Sequence, residues 1–182
     1  MADYDFFQEL PANVKGGDNP GYDSLVYIGL YSDFTTIAGV NPSPTAEGDT
    51  LIVLDDHDFG VGDGFVKLTG FRDGAEVKVK AVGDEGFQNI EAELELFCAG
   101  DHAPLKEKMK EWQNKSVILL YRDPNCGTTR IQQLGNDCKG AIIHGLDGGS
   151  GKAIGGGKKG FSFKCKAFHM PLDYQGDITL KS

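Results

Sequence analysis

The sequence predicts a mainly β protein, a β-sandwich or barrel with one short flanking α-helix, and three observations support this prediction. Apolar and charged residues alternate in several short segments, which is typical of strands with one buried face. Glycine is abundant, with 26 residues in 182, and it falls between these segments, where turns are needed. A single segment has helical apolar spacing, which argues against repeated βαβ units.

Composition narrows the class of protein. A chain of 182 residues with 40 % apolar and 25 % charged residues suits one globular domain. Its formal charge of −9 argues against a protein that binds nucleic acid, because phosphate contacts need a basic surface. We expect no secretory signal, since the start Met1-Ala-Asp-Tyr-Asp5 has neither a basic n-region nor an apolar h-region. We also expect no membrane span, since no run approaches 18 apolar residues.

The chain divides into an arm and one domain. Residues 1–23 are polar and broken by proline and glycine, so they are expected to form an N-terminal arm. Residues 24–182 are expected to form a single β-sandwich domain with a long loop over 41–64 and a helix over 104–114. Strands are expected at 24–31, 34–40, 50–54, 65–71, 75–82, 88–97, 116–122, 129–134, 141–144 and 161–168.

Local signals define one hairpin and the helix. Segments 65–71 and 75–82 flank Arg72-Asp73-Gly74, whose Asp-Gly pair is a strong short-loop hairpin signal. In the helical segment, Pro104 suits the first helical position, and Leu105, Met109 and Trp112 recur at i, i+4 and i+7. This helix is short, so it must pack on a sheet to be stable.

Three glutamates form the first candidate site. Glu91, Glu93 and Glu95 share one face of the 88–97 strand, and apolar residues occupy its other face. Two interpretations stay open for this stripe. It is either a solvated face opposite the lysines of the 75–82 strand or a deliberately negative wall.

The remaining motifs do not indicate a catalytic, metal or cofactor site. Residues 155–160 match GxGxxG but lead into a strand, and residues 148–152 lack the spacing of a phosphate loop. The acidic loop over 55–63 lacks the register of a calcium loop and its closing glutamate. The four histidines and four cysteines show no metal-ligand spacing, and the cysteines are expected to be free thiols. We therefore predict no catalytic residue, no metal and no cofactor.

The second half of the chain has a distinctive order of segments. These are a glutamate-alternating strand (89–96), a short helix (104–113), an apolar strand (116–122), a glycine-rich loop (148–160) and a closing strand (161–168). Gly148-Gly-Ser-Gly-Lys-Ala153, followed by a Phe-x-Phe strand and Pro171, is the most characteristic part. In the order of these segments and in their residue pattern, residues 85–177 resemble the tail tube proteins of long-tailed bacteriophages, especially phages of Bacteroidetes bacteria.

The resemblance implies a structural protein of the virion, assembled in the host cytoplasm, and no enzyme. Its copies would form homohexameric rings that stack into a tube, contact other tail proteins and touch no membrane. DNA would pass through without specific binding, and Glu91, Glu93 and Glu95 would line an acidic bore. Contacts between rings would come from the arm and from the 41–64 loop. The acidic candidates in that loop are Asp55, Asp56, Asp58 and Asp63.

Two other functions stay open at this point. One is a β-sandwich module that binds carbohydrate or calcium through the 55–63 loop. The other is an enzyme whose site forms only when distant residues meet in the folded protein.

Overall fold

The computed structural model describes residues 9–10, 24–70, 75–99, 103–122, 130–149 and 160–181. Most of the predicted arm, the Arg72-Asp73-Gly74 turn, His102, Cys126 and residues 150–159 of the glycine-rich loop lie outside these ranges. Within them the protein is mainly β with one short helix, so the predicted fold class is confirmed.

The described residues form strands, one α-helix and a short 3₁₀ helix at Asp49–Leu51. In chain order the labelled elements are β1 (Glu9–Leu10), β2 (Ser24–Leu30), β3 (Phe34–Thr36), β4 (Ile52–Val53), β5 (Asp58–Phe59), β6 (Val66–Gly70), β7 (Ala75–Val82), β8 (Asn89–Ala99), α1 (Ala103–Trp112), β9 (Ser116–Arg122), β10 (Ile131–Leu134), β11 (Ala141–Gly149), β12 (Gly160–Ala167) and β13 (Leu172–Tyr174).

Strand β9 lies at the centre of the fold. All five residues from Val117 to Tyr121 are buried, so both faces of this strand lie inside the protein. One edge of β9 pairs with β2. The other edge is shared, because β11 pairs with its first residues and β10 pairs with its last ones. A continuous apolar run is what a strand buried on both faces requires.

The inner face of the main sheet encloses the larger core. The sheet runs β1-β6-β2-β9-β11-β12-β8-β7 and curls until β6 approaches β8, so its two halves pack against each other. Helix α1 closes this core with Met109 and Trp112, each 2 % exposed. Other large members of the core are Ile28, Leu68, Leu94, Leu96, Leu119 and Phe163.

A second layer covers the other face of β9. This second layer consists of residues 31–65 and 172–181, and its strands β4 and β13 join β10 in a short branch of the sheet. Ile118 and Leu120 of β9 pack here against Val53 and Tyr174. The segment predicted as a loop over 41–64 is therefore a folded part of the domain with its own core.

Two glycines allow the sheet to branch at β9. The chain leaves β10 at Gly135, where φ is +91°, and enters β11 directly after Gly140. A Cβ at Gly135 would lie 2.8 Å from the carbonyl oxygen of Val117. A Cβ at Gly140 would lie 2.3 Å from Oγ of Ser116. Because both positions touch β9 itself, a side chain on either would push the branch away from the central strand.

The predicted hairpin between 65–71 and 75–82 is wrong. Both strands form, as β6 and β7, but β6 pairs with β1 and β2, and β7 pairs with β8. The β7–β8 register puts Lys78 opposite Glu93 and Lys80 opposite Glu91. The two lysine–glutamate pairs and the apolar pairs between these strands outweigh both the like-charge pair of Glu76 with Glu95 and the local preference of one turn for a hairpin.

Other element boundaries also differ from the predictions. Helix α1 begins at Ala103 and ends at Trp112, because Asn114 takes a left-handed φ of +62°, a conformation that ends helices. Strand β3 stops at Thr36, because the N–H of Ala38 donates to the ring of His57 instead of to a strand. Strand β13 was not predicted, since its three residues are too few to show a period.

We predict that Gly135→Ala destabilises the protein more than Gly62→Ala does. Both glycines have positive φ, +91° and +85°, so alanine at either costs roughly 1–2 kcal/mol of backbone strain. At Gly62 a Cβ meets nothing within 4 Å, whereas at Gly135 it meets backbone atoms of Val117 and Ala141 at 2.8 and 2.9 Å. We expect this overlap to add about 1–3 kcal/mol, measured by urea unfolding. Equal losses in the two variants would contradict the role given to Gly135.

Candidate functional site

The glutamate stripe lies on the outer face of the sheet, between two strands that carry lysines. Strand β8 pairs with β7 on one side and with β12 on the other. Lys80 Nζ lies 2.9 Å from Oε1 of Glu91, whose residue is buried. This bond lowers the pKa of the Glu91 carboxyl and raises the pKa of Lys80. Glu93 lies opposite Lys78 on β7 and opposite Lys166 on β12.

The lower part of the stripe is also paired. Lys164 Nζ lies 3.2 Å from Oε2 of Glu95 and 3.8 Å from Oε1 of Glu93. Nε2 of His144 lies 3.2 Å from Oε2 of Glu93, but the two groups are not aligned for a hydrogen bond. The structure thus brings the three predicted residues together on one face, and each of them has a basic neighbour.

The outer face of β7, β8 and β12 is therefore balanced in charge. Its four carboxylates and four ammonium groups are Glu76, Glu91, Glu93, Glu95, Lys78, Lys80, Lys164 and Lys166. Paired charges of opposite sign cancel beyond a Debye length, about 8 Å at physiological salt. The stripe by itself does not produce a negative wall.

The excess of negative charge lies on a different part of the chain. Residues 24–66 contain seven carboxylates and not one lysine or arginine. All seven belong to the second layer, and they are Asp33, Glu47, Asp49, Asp55, Asp56, Asp58 and Asp63. This segment accounts for most of the formal charge of −9.

The four predicted aspartates of this layer have different environments. Oδ1 of Asp56 accepts a hydrogen bond of 2.6 Å from the N–H of Asp177, and Oδ1 of Asp63 lies 3.1 Å from Nζ of Lys181. Both of these side chains attach the layer to the C-terminal segment. Asp55 and Asp58 are exposed. The described residues contain no group of three or more His, Cys, Asp or Glu side chains arranged to hold a metal ion.

A buried histidine that the sequence analysis did not single out links the second layer to the sheet. His57 is 2 % exposed, and its Nδ1 accepts a hydrogen bond of 3.0 Å from the N–H of Ala38. Its Nε2 therefore carries the proton and donates to Oε1 of Gln133 at 2.9 Å. The ring stacks on Tyr174, with 4.9 Å between centroids and 9° between planes. Nothing marks this position in the sequence, where acidic residues flank it.

Burial is the main cause of the pKa shifts of His57 and Tyr174 in this network. It lowers the pKa of His57, although the hydrogen bond to Gln133 and the charges of Asp56 and Asp58 act in the opposite direction. Burial also raises the pKa of Tyr174 to about 12. The hydroxyl of Tyr174 donates to the carbonyl of Asp177 at 2.8 Å. The network is neutral and fully hydrogen-bonded at neutral pH, as a structural element requires.

The two buried cysteines offer no activated thiol. Cys98, Cys138 and Cys165 are free, as expected for three of the four cysteines, and Cys126 lies outside the described residues. Burial raises the pKa of Cys98 to about 12 and raises the pKa of Cys165 further. A thiol with a raised pKa is a poor nucleophile at neutral pH, so these two side chains act as core residues.

A cavity of about 760 Å³ opens between β7 and the strands β2, β9 and β10. Val77 and Val79 of β7 form part of its wall. Several of its polar groups already bond to one another. Arg130 makes a two-bonded ion pair with Asp173, and the hydroxyl of Tyr121 donates to Oε1 of Gln132 at 2.6 Å. The cavity has the volume of a small-molecule site, but the polar side chains named here bond to each other.

Strand β7 is the longer of the two end strands of the main sheet, the other being β1. Among the described strands it pairs with β8 alone, along its full length from Ala75 to Val82. Val79 on its inner side is 46 % exposed, and Phe87 in the turn after it is 84 % exposed. An unpaired edge with apolar residues beside it is a common place for another strand to add.

Comparison with known proteins gives no relative for this chain. No protein-family model, no curated protein and no solved structure matches it. In the ranges that the structure describes, no helix has the length and apolar character needed to cross a membrane.

We predict that the His57 network weakens the fold as the pH falls. The pKa of His57 is lower in the folded protein than its usual 6.5, so protonation favours the unfolded chain. The stability that neutral His57 contributes is present above pH 6.5 and is lost between there and its folded pKa. The loss cannot exceed about 1.4 kcal/mol per pH unit for one proton.

Urea unfolding at pH 7, 6 and 5 measures this loss against two variants. His57→Gln is expected to have a smaller pH dependence than the natural protein, because carboxylates contribute equally to both. Tyr174→Phe removes a hydrogen bond but keeps the histidine, so it is expected to be less stable with an unchanged pH dependence. The same slope in all three proteins would show that His57 does not titrate with unfolding.

Proposed function

We propose that this protein is a tail tube subunit of a long-tailed bacteriophage, a structural protein of the virion and not an enzyme. Its copies form hexameric rings, and the rings stack into a tube through which DNA passes. The resemblance of residues 85–177 suggests the family, and the mainly β fold with one short helix is compatible with it.

The observation that carries the proposal is the open edge of β7. Its eight residues have backbone groups on one side that no described strand pairs. When the edge of one copy pairs with a different edge of the next copy, the contact is heterologous and closes into a ring if the rotation permits. Pairing also removes the exposed edge, which a lone subunit would have to protect.

In this proposal the outer face of β7, β8 and β12 lines the bore, with Glu91, Glu93 and Glu95 among its residues. Because these glutamates are paired with lysines, the face carries little net charge and neither attracts nor repels phosphate strongly. Longer-range repulsion comes from the formal charge of −9 on each chain. Such a surface lets DNA slide without binding, which is what passage requires.

The second layer supplies the contacts between rings. Asp55 and Asp58 are exposed on it, and Val61 is fully exposed between Gly60 and Gly62. Asp56 and Asp63 hold the layer in shape through Asp177 and Lys181. A folded, acidic surface with one apolar tip is better suited to a specific contact than a loose loop.

Negative-stain microscopy of the purified protein over a range of concentrations tests this function. We expect six-membered rings or tubes. Adjacent residues of a strand direct their N–H groups to opposite sides, so of Lys78→Pro and Val79→Pro one faces β8 and the other faces the open edge. The variant that keeps the natural melting temperature is the edge variant, and it is expected to form no rings. Absence of rings and tubes from the natural protein, or their persistence in the edge variant, would contradict the proposal.

A calcium titration distinguishes this function from a calcium-binding module. Calcium that binds the folded protein alone raises its melting temperature as the ion concentration exceeds the dissociation constant. We expect no change in melting temperature, because a calcium site needs six to eight oxygen ligands and the 55–63 loop lacks that register. A rise that Asp55→Asn and Asp58→Asn abolish would favour the binding module instead.

A further inference from the structure

We propose that two free copies of this protein pair through β7 about a two-fold axis at Lys78. The result is an antiparallel dimer that closes the open edge of both copies. This inference does not need the proposed function, since the dimer forms from one surface whether or not rings exist.

The sequence of β7 is complementary to its own reverse. An axis at Lys78 places Glu76 of one copy opposite Lys80 of the other, and the symmetry creates this pair twice. Cross-strand pairs of opposite charge stabilise antiparallel sheets, whereas like charges directly opposite each other destabilise them. The next two-fold registers are less favourable. An axis at Val79 places Lys78 opposite Lys80. An axis at Val77 places Glu76 opposite Lys78, but it pairs only Ala75 to Val79 within β7, whereas the axis at Lys78 pairs Ala75 to Ala81.

The apolar side of β7 is equally complementary in this register. Val77 of one copy lies opposite Val79 of the other, again twice. Both residues face inward, since Val77 packs against the larger core and lies opposite Leu94, while Val79 lies opposite Ala92. Val79 is 46 % exposed in the single chain. Pairing would bury much of that surface in both copies.

Either hydrogen-bonding phase of β7 accommodates the axis. In an antiparallel sheet, alternate residues direct both N–H and C=O to the same side of the strand. If Lys78 faces the open edge, the central pair carries the hydrogen bonds. If Val77 and Val79 face it, the two valine pairs carry them. No shift of register is needed in either case.

The lysines of β7 do not prevent this pairing. Lysine on an edge strand usually discourages other strands from adding. Here Lys78 Nζ lies 3.0 Å from Oε2 of Glu76, and Lys80 Nζ lies 2.9 Å from Oε1 of Glu91. The one unfavourable contact is between the two copies of Lys78 at the axis. This repulsion limits the dimer to a moderate affinity, so the dimer can dissociate and expose β7 again.

Sedimentation of two charge variants, alone and mixed, tests the register. In Glu76→Lys, lysine faces Lys80 twice, and in Lys80→Glu, glutamate faces Glu76 twice. Each variant alone is expected to dimerise at least about tenfold more weakly than the natural protein. An equal mixture restores two opposite-charge pairs in a heterodimer of twice 19.6 kDa, so dimers are expected to return. Lys78→Gln removes the repulsion at the axis and is expected to tighten the dimer.

Each outcome decides the proposal. Far-UV circular dichroism and melting temperature first establish that every variant folds. A natural protein that forms no dimer up to about 100 μM overturns the inference, whether or not it forms rings under the microscope. A dimer that Glu76→Lys leaves intact places the contact elsewhere and also overturns it. A mixture that stays monomeric while the natural protein dimerises rejects this register. Dimers without any rings support the inference and count against the proposed tail tube function.

Discussion

The burial of β9 on both faces is the constraint on which the rest of the structure depends. Its residues from Val117 to Tyr121 serve two cores at once, with Leu119 in the larger one and Leu120 in the smaller one. A strand in this position needs partners on both edges and cover on both sides. The sheet supplies the edges by branching next to Gly135, and the curled sheet and the second layer supply the cover.

The charged residues are also distributed differently between the main sheet and the second layer. On the outer face of β7, β8 and β12, glutamates pair with lysines across the strands, so their charges largely neutralise one another. In the second layer, acids outnumber the basic side chains that pair with them among the described residues, which are Lys181 beside Asp63 and Arg130 beside Asp173. A chain that repels phosphate overall can therefore present one neutral face and one acidic face, and these suit different contacts. The proposed tube uses that difference, with the neutral face toward DNA and the acidic face toward the next ring.

Features that depend on neighbouring residues were predicted correctly, and features that depend on contacts between distant residues were not. The strand at 116–122 was predicted with its observed bounds, because a continuous apolar run is a local signal. The grouping of Glu91, Glu93 and Glu95 on one face followed from the period of a strand. The hairpin at Arg72-Asp73-Gly74 failed, because the partner of β7 is chosen by lysine–glutamate pairs with β8. His57 was missed, because its burial depends on Gln133 and Tyr174, far away in the chain.

The sequence by itself determined the class of fold, the positions of most strands and the one helix, since periodicity and turn residues act over a few neighbours. It also determined the excess of negative charge and its concentration in residues 24–66. Only the tertiary structure decided which strands pair, where the sheet branches, and that the segment over 41–64 folds around His57. It also decided that the glutamate stripe is neutralised and that β7 pairs with β8 alone among the described strands. These features depend on contacts between residues distant in the chain, and a linear pattern does not specify which distant segments meet.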